Sequence, residues 1–126
     1  ATKDSDIDLL VVCRDLPRPQ FERRARFDQA TADAAPELRR LRELGHSAEM
    51  SVVLKNEQEA LYRSPLYLDM TEDAVLLFDR GGFFASVLEG LRERMRSLGS
   101  RRVFLPDGSW YWDLKPDYEP GDRIEL

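Results

Sequence analysis

Cysteine and histidine are almost missing from this chain, and so is any long apolar run. The 126 residues include one cysteine, Cys13, and one histidine, His46. A single cysteine forms no disulfide within the chain, and we find neither a signal peptide nor an apolar stretch near the ~18 residues of a membrane span. These absences favour a cytosolic protein with no membrane partner. We interpret Cys13 as a buried inert thiol and His46 as a loop residue.

A basic excess is also missing, since 24 acidic residues outnumber 19 basic ones and the net charge is −5. Proteins whose main partner is the nucleic-acid backbone normally carry the opposite balance, so we expect a nucleic acid only as an acceptor substrate. The arginine clusters at 23–26 and 39–42 are interleaved with acids, which is typical of solvated helix faces. A hydrophobic content of 42% is enough for one domain with its own core.

Two carboxylates at positions i and i+2 stand at the head of an unbroken apolar run. Asp6 and Asp8 flank Ile7, and the run continues to Val12. In an extended chain the two acids share one face, about 7 Å apart. Like charges so placed cost stability unless a cation or hydrogen bonds offset their repulsion, so the spacing favours a site for a hard ion such as Mg²⁺. The alternative is a solvated strand start that also includes Asp4.

The third candidate ligand is Glu49, the only acid in a second strand-like stretch at 47–54. A lone carboxylate in a sheet needs a compensating partner, and a neighbouring strand that carries Asp6 and Asp8 with their metal ions would supply one. The alternative is an acid on an edge strand that faces water.

The rest of the chain alternates strands with helices, which predicts an α/β (α+β) fold with a small mixed sheet flanked by helices. The patterns predict helices at 20–34, 36–44, 65–71 and 83–98, a third strand at 74–78, and a hairpin at 103–112. Between these elements, Asn56 and Glu59 have the spacing of a capping box for a short helix.

Two predictions concern side chains on these elements. In the helix at 20–34 we expect Phe21 and Ala25 to be buried, together with Phe27 or Gln29. Trp110 and Trp112 share one face of the hairpin, which either packs on the 83–98 helix or offers an aromatic surface to a partner or to nucleic-acid bases.

The stretch at 2–12, TKDSDIDLLVV, resembles the S-D-x-D-L strand of the minimal nucleotidyltransferases, small members of the polymerase-beta-like superfamily. The segments at 64–70, SPLYLDM, and 110–116, WYWDLKP, are similar to a prokaryotic branch of this family. The resemblance implies a polymerase-beta-like palm in a single domain. Its core would be 1–80, and 81–126 would form a C-terminal extension, a helix and a β-hairpin packed on that core.

The same resemblance implies the residues of a site. Asp6 and Asp8 would bind two Mg²⁺ ions that carry a nucleoside triphosphate, with Ser5 beside the nucleotide. Glu49 would be the third carboxylate, which the family often has as Asp. The implied activity is transfer of a nucleoside monophosphate, AMP from ATP, to a hydroxyl of a protein, an RNA end or a small molecule.

An alternative role follows from the same resemblance. Small proteins of this type commonly act as antitoxins, so the chain would then be a weak or inactive module that binds a helical HEPN-domain toxin through its hairpin or its 83–98 helix. The family's Gly-Ser motif does not occur ahead of Asp6. Either the sequence begins after this motif or the nucleotide site has lost it, and a strand so near the terminus favours the first. The oligomeric state stays open, a homodimer included.

Overall fold

The computed structural model describes residues 5–47 and 49–126, and the chain divides into two compact units, Ala1–Ala60 and Leu61–Leu126. Each unit combines helices with one small sheet, which confirms the mixed α and β class. The predicted boundary at 80/81 falls inside the second unit, and the single domain stays a prediction. Within the described residues, no helix is both long and apolar enough to cross a membrane.

The first unit is organised around two parallel strands. Its elements are β1 (Ile7–Val12), α1 (Gln20–Ala30), α2 (Ala35–Glu43), β2 (Met50–Lys55) and α3 (Glu57–Leu61). The last residue of α3 lies across the boundary of the unit. Ile7 pairs with Met50 and Val12 with Lys55. A parallel pair requires a long crossover connection, and the two helices α1 and α2 provide it.

The helix predicted at 20–34 ends at Ala30. The C-cap residue is Thr31, whose hydroxyl donates to the carbonyl of Phe27, the same carbonyl that accepts the helical hydrogen bond of the Thr31 N–H. A 3-10 turn over Ala32–Ala34 then leads into α2, whose first turn contains Pro36. Such local competition by a threonine hydroxyl is a known way to end or bend a helix.

The buried face of α1 differs from the predicted one. Phe21 is 75% exposed, whereas Phe27 and Arg23 are buried. Arg23 and Phe27 are four residues apart and therefore lie on one face of the helix. The predictions that Phe21 and Ala25 are buried are wrong, and Phe27 is the aromatic residue that this unit buries.

The second unit has a helical core and an antiparallel hairpin. Its elements are α4 (Leu66–Asp73), α5 (Phe83–Leu98), β3 (Arg101–Phe104) and β4 (Trp110–Asp113). The bounds of α5 confirm the predicted helix at 83–98. Leu105 N donates to the carbonyl of Ser109, and Gly108 takes φ 87°, so the predicted hairpin with its turn at Asp107-Gly108 is confirmed.

The core of this unit lies between α4 and α5. Tyr67 and Phe84 meet edge to face, with ring centroids 5.2 Å apart and planes at 88°. This is a favourable arrangement for two aromatic rings. The other buried apolar residues of these helices are Leu68, Val87, Leu88, Leu91 and Met95. The apolar side chains of α5 are therefore core.

The third strand predicted at 74–78 is wrong. These residues follow α4 without helix or strand structure, and their side chains are exposed. In the described chain the strands form two separate sheets of two, β1 with β2 and β3 with β4, in place of one mixed sheet. The pattern of apolar residues at 74–78 predicts a strand, but a strand forms only where a neighbour supplies hydrogen bonds.

Candidate functional site

The predicted acidic residues lie where the two parallel strands begin. Asp6 immediately precedes β1, Asp8 is its second residue, and Glu49 immediately precedes β2. All three side chains are exposed, as is Ser5. Asp4 and Ala48 lie outside the described residues.

The strand register brings Glu49 beside the acidic pair. Ile7 N donates to the carbonyl of Glu49 at 2.8 Å, and Asp8 pairs with Ser51. Paired residues of parallel strands project to the same face, and side chains alternate along each strand. Asp6 and Glu49 each lie one residue before the start of their strand. When the alternation is continued to these two positions, Asp6, Asp8 and Glu49 lie on one face of the sheet.

The side chains themselves are not gathered into a metal centre. Ser47 Oγ donates to Asp6 Oδ1 at 3.3 Å. Among the described His, Cys, Asp and Glu side chains, no group of three or more is close enough to hold a metal ion. The donor chemistry suits Mg²⁺, because all three candidates are carboxylates that an ion can reach. The structure thus places the three acids on adjacent strands, but not in coordinating positions.

Cys13 and His46 lie at two loops of the same unit. The Cys13 thiol is free and half-buried, and its backbone N donates to the carbonyl of Lys55 at 2.9 Å. His46 is exposed in the loop after α2, and its backbone N donates to the carbonyl of Leu41 at 3.0 Å. His46 is a loop residue, as predicted, and Cys13 is only partly buried.

An ion pair between a buried arginine and a part-exposed glutamate, near the other end of β2, was missed at the sequence level. Arg23 is 3% exposed, and its guanidinium donates to Glu59 Oε1 at 2.8 Å and to the carbonyl of Leu54 at 3.3 Å. It also donates to the carbonyl of Pro17. The sequence pattern indicates only a solvated arginine cluster here, because Leu54 and Glu59 are distant from Arg23 in sequence.

Glu59 also closes the predicted capping box. Glu59 N donates to Asn56 Oδ1 at 2.8 Å, and Asn56 N donates to Glu59 Oε1 at 3.0 Å. This reciprocal pair confirms the prediction for α3. The hydrogen bond from Asn56, with the nearby Arg23 charge, lowers the pKa of Glu59 against the opposing effect of desolvation.

A second polar cluster lies on the hairpin side of α4, and we call it the Asp69 cluster. It consists of Asp69, Asp73, Arg102, Trp110 and Trp112. The indole N–H groups of Trp110 and Trp112 both donate to Asp69 Oδ1 at 2.8 Å. Arg102 donates to Asp73 at 2.7 Å, and its guanidinium carbon lies 5.0 and 5.1 Å from the two indole ring centres. The hairpin is thereby attached to α4, whereas we expected its tryptophans either on the 83–98 helix or on an open aromatic surface.

Sequence spacing carried a signal for this cluster. Asp69 and Asp73 are four residues apart on a helix, and Trp110 and Trp112 are two apart on a strand, so each pair shares one face. Burial on its own raises the pKa of Asp69, but the two indole hydrogen bonds and the Arg102 charge outweigh burial and hold that pKa below its usual range. The cluster stabilises the second unit and leaves Asp69 ionised.

No protein-family model, no curated protein and no solved structure matches this chain. The residues and their geometry are therefore the basis for any functional assignment.

Proposed function

We propose that this chain is a metal-dependent nucleotidyltransferase with a polymerase-beta-like palm, which transfers AMP from ATP to a hydroxyl acceptor. The observation that supports this most strongly is the register of β1 and β2. This register sets Glu49 beside Asp6, and Asp8 lies two residues after Asp6 on the same face. A carboxylate pair on one strand and a third acid on its neighbour is the arrangement that the sequence resemblance implies.

The three acids would hold the metal ions in this proposal. Bound Mg²⁺ would neutralise charge on the triphosphate and lower the pKa of the acceptor hydroxyl. Asp6 and Asp8 are the residues for the nucleotide side of the site, and Ser5 would contact the triphosphate. Glu49 would orient the acceptor hydroxyl in line with the bond from the α-phosphorus to pyrophosphate, which breaks as the new ester bond forms.

The separated side chains are compatible with this role. Exposed side chains change rotamer within nanoseconds, so the positions of the backbone atoms decide whether three carboxylates are able to converge. The hydrogen bond from Ser47 to Asp6 gives one of the acids a defined orientation in the absence of an ion. Repulsion between the acids favours their separation until a cation offsets it.

The test is transfer of label from ATP that carries ³²P at the α-phosphate, in the presence of Mg²⁺. We expect the native chain to label an acceptor or itself, and an Asp6→Asn, Asp8→Asn double variant to lose at least ~100-fold of this rate. Glu49→Gln should lose transfer as well. A double variant at exposed acids elsewhere, Asp33→Asn with Asp117→Asn, removes the same charge and should keep full transfer.

Two results would contradict the proposal. One is an absence of transfer by the native chain with ATP, GTP, CTP and UTP over a range of acceptors. The other is equal transfer by the native chain and the Asp6, Asp8 double variant. Circular dichroism of each variant separates a loss of activity from a loss of fold.

The second candidate function is an antitoxin-type module that binds a HEPN-domain protein. Exposed aromatic residues on the hairpin favour it, since Phe104 is 63% and Tyr111 is 52% exposed. The apolar stripe of α5 is buried in the second unit and is not available to a partner. Under this hypothesis a complex with a purified HEPN-domain protein survives the Asp6, Asp8 double substitution and is lost with Tyr111→Asp.

A further inference from the structure

An apolar segment between α4 and α5 lies on the surface, where the guanidinium carbon of Arg80 is 6.0 Å from the centre of the Phe78 ring. Val75, Leu77 and Phe78 are 80%, 84% and 82% exposed, and Leu76 is also exposed. In the described part of the chain, the backbone groups of 75–78 make no hydrogen bond to other protein groups. Four consecutive exposed apolar residues are unusual on a soluble protein and mark an interaction surface.

The composition of this segment matches a β-strand. Residues 74–78 read AVLLF, a short apolar run that contains a β-branched and an aromatic residue. The segment follows the end of α4 and precedes the turn that leads into α5. A strand of this kind becomes stable when it adds to the open edge of an existing sheet.

The first unit presents such an edge. Within the described residues, β1 pairs only with β2, and a sheet of two strands is marginally stable by itself. The five residues after Asp8 in this strand region, LLVVC, are all apolar, and such unbroken runs are typical of strands inside a larger sheet. In β2, by contrast, exposed and part-buried residues alternate from Met50 to Val53, as in an edge strand.

Flanking charges give the relative direction of the two strands. Glu72 precedes the segment and Arg80 follows it, whereas Asp6 precedes β1 and Arg14 follows it. In an antiparallel arrangement Arg80 meets Asp6 and Glu72 meets Arg14, and a parallel one would bring like charges together. Within one copy Arg14 pairs with the exposed Glu57 at 3.0 Å and Arg80 lies over the Phe78 ring, so both arginines exchange an exposed contact for the new one. Asp79 does not change this pattern, since the backbone N–H groups of Phe84 and Ala85 hold its carboxylate.

We infer that residues 74–78 pair in antiparallel fashion with the open edge of β1 in a second copy of this chain. Each copy carries both the apolar segment and, within the described residues, an unpaired edge of β1, so two copies related by a twofold axis form two identical junctions. This pairing covers the exposed side chains at 75–78 and gives β1 a neighbour on both sides. It does not rest on the nucleotidyltransferase proposal, although Asp6 takes part in both, and Leu77→Asp tests the pairing without a change at Asp6.

The first experiment measures the mass of the full chain in solution over a concentration series by light scattering. We expect a dimer, and we expect Leu77→Asp to raise its dissociation constant at least ~10-fold. The matched control is Leu44→Asp, because Leu44 is also an exposed leucine, 65% accessible, and lies outside the segment. A native chain that is monomeric throughout, or an equal effect of the two variants, would overturn the inference.

The second experiment is a crosslink in a Cys13→Ser, Val12→Cys background. The pairing of Arg80 with Asp6 places residue 74 opposite Val12, and adjacent strands bring Cα atoms within the range of a disulfide. We therefore expect Ala74→Cys in this background to give a covalent dimer under mild oxidation, and restoration of Val12 to abolish it. Arg80→Cys in the same background is the control, since residue 80 lies about 20 Å further along an extended strand.

Each other outcome counts against the inference. An intramolecular disulfide in Ala74→Cys would place the segment on the sheet of its own chain. A covalent dimer formed by Arg80→Cys and not by Ala74→Cys would show parallel pairing. No crosslink in either variant would show that the segment does not reach this edge.

Discussion

At the scale of single residues, Arg23 is the side chain whose environment departs furthest from the surface pattern of its neighbours. Its guanidinium has an ion-pair partner in Glu59 and carbonyl acceptors in Pro17 and Leu54. One buried side chain therefore joins α1 to the loop after β1 and to the end of β2. Arg24, the next residue, forms an exposed pair with Asp28 on the same helix.

These two arginines give a paired prediction. Arg23→Ala should lower the free energy of unfolding by about 2 kcal/mol, because it removes a buried donor while Glu59, which is 41% exposed, regains water. Arg24→Ala should change it by less than ~0.5 kcal/mol, as expected for an exposed i, i+4 pair. Urea denaturation of both variants measures the difference. Equal effects would show that burial of Arg23 contributes nothing.

The Asp69 cluster gives a prediction about pH. Since the pKa of Asp69 is lowered on folding, its contribution to stability is complete above the usual carboxyl pKa of about 3.9 and declines as pH falls through the lower, folded value. Asp69→Asn should therefore be less stable than the native chain at neutral pH, and the two should converge in acid. Thermal unfolding from neutral pH to acid measures the difference in stability between the two proteins.

The charged and titratable neighbours of Asp69 set the control for that experiment. Arg102 stays protonated throughout, and Asp73 and Glu72 are the other carboxylates near it. Asp73→Asn, measured in parallel, gives the contribution of the Asp73 carboxylate to the pH dependence of stability. Asp73 pairs with Arg102 but accepts no hydrogen bond from either indole. A stability difference between the native chain and Asp69→Asn that stays constant with pH would contradict the lowered pKa of Asp69.

At the scale of an element, the start of α5 depends on one carboxylate. Asp79 accepts hydrogen bonds from the backbone N–H groups of Phe84 at 2.9 Å and Ala85 at 2.8 Å. The chain returns over these groups through Gly81 and Gly82, both of which have positive φ. A carboxylate at this position both satisfies free N–H groups and interacts well with the helix dipole.

Removal of this cap should be measurable. Asp79→Ala should lower the free energy of unfolding by about 1–2 kcal/mol, and Asp79→Asn should recover part of that loss. Chemical denaturation followed by circular dichroism gives both values. The matched control is Asp107→Ala, which removes an exposed carboxylate in the hairpin turn and should cost less. If Asp79→Ala were neutral, water would be an equal substitute for the cap.

Elements differed in how well the sequence predicted them. The bounds of α5 were predictable because its apolar spacing and the glycines on either side are local signals. Residues 74–78 failed because a strand depends on a partner that the local pattern does not contain. Asp6 and Asp8 were predicted to share one face, with Glu49 as a third ligand from a neighbouring strand. The register puts Glu49 beside Asp6, but side-chain convergence depends on ligands and rotamers that no spacing encodes.

At the scale of the whole chain, the apolar core is unevenly divided. Among the described residues, the buried hydrophobic side chains of the first unit are Phe27 and Ala60, and the other seven lie in the second unit. Hydrophobic stabilisation is roughly proportional to buried apolar area, so the second unit should be the more stable of the two.

This imbalance gives a prediction about fragments. Residues 61–126 expressed alone should retain helical circular dichroism and unfold cooperatively, while residues 1–60 should show neither property. Thermal scans of the two fragments test this. A 61–126 fragment without a cooperative transition would show that its core requires the rest of the chain.

The positions of the aromatic chromophores have a practical consequence for spectroscopy. Both tryptophans and all four tyrosines, Tyr62, Tyr67, Tyr111 and Tyr118, lie after residue 60. Ultraviolet absorbance near 280 nm and intrinsic emission therefore originate in Leu61–Leu126, and the tryptophan signal comes from the indoles bonded to Asp69. Fluorescence reports on that part of the protein alone, so events at β1 and β2 require an introduced dye or an isotope label to be seen.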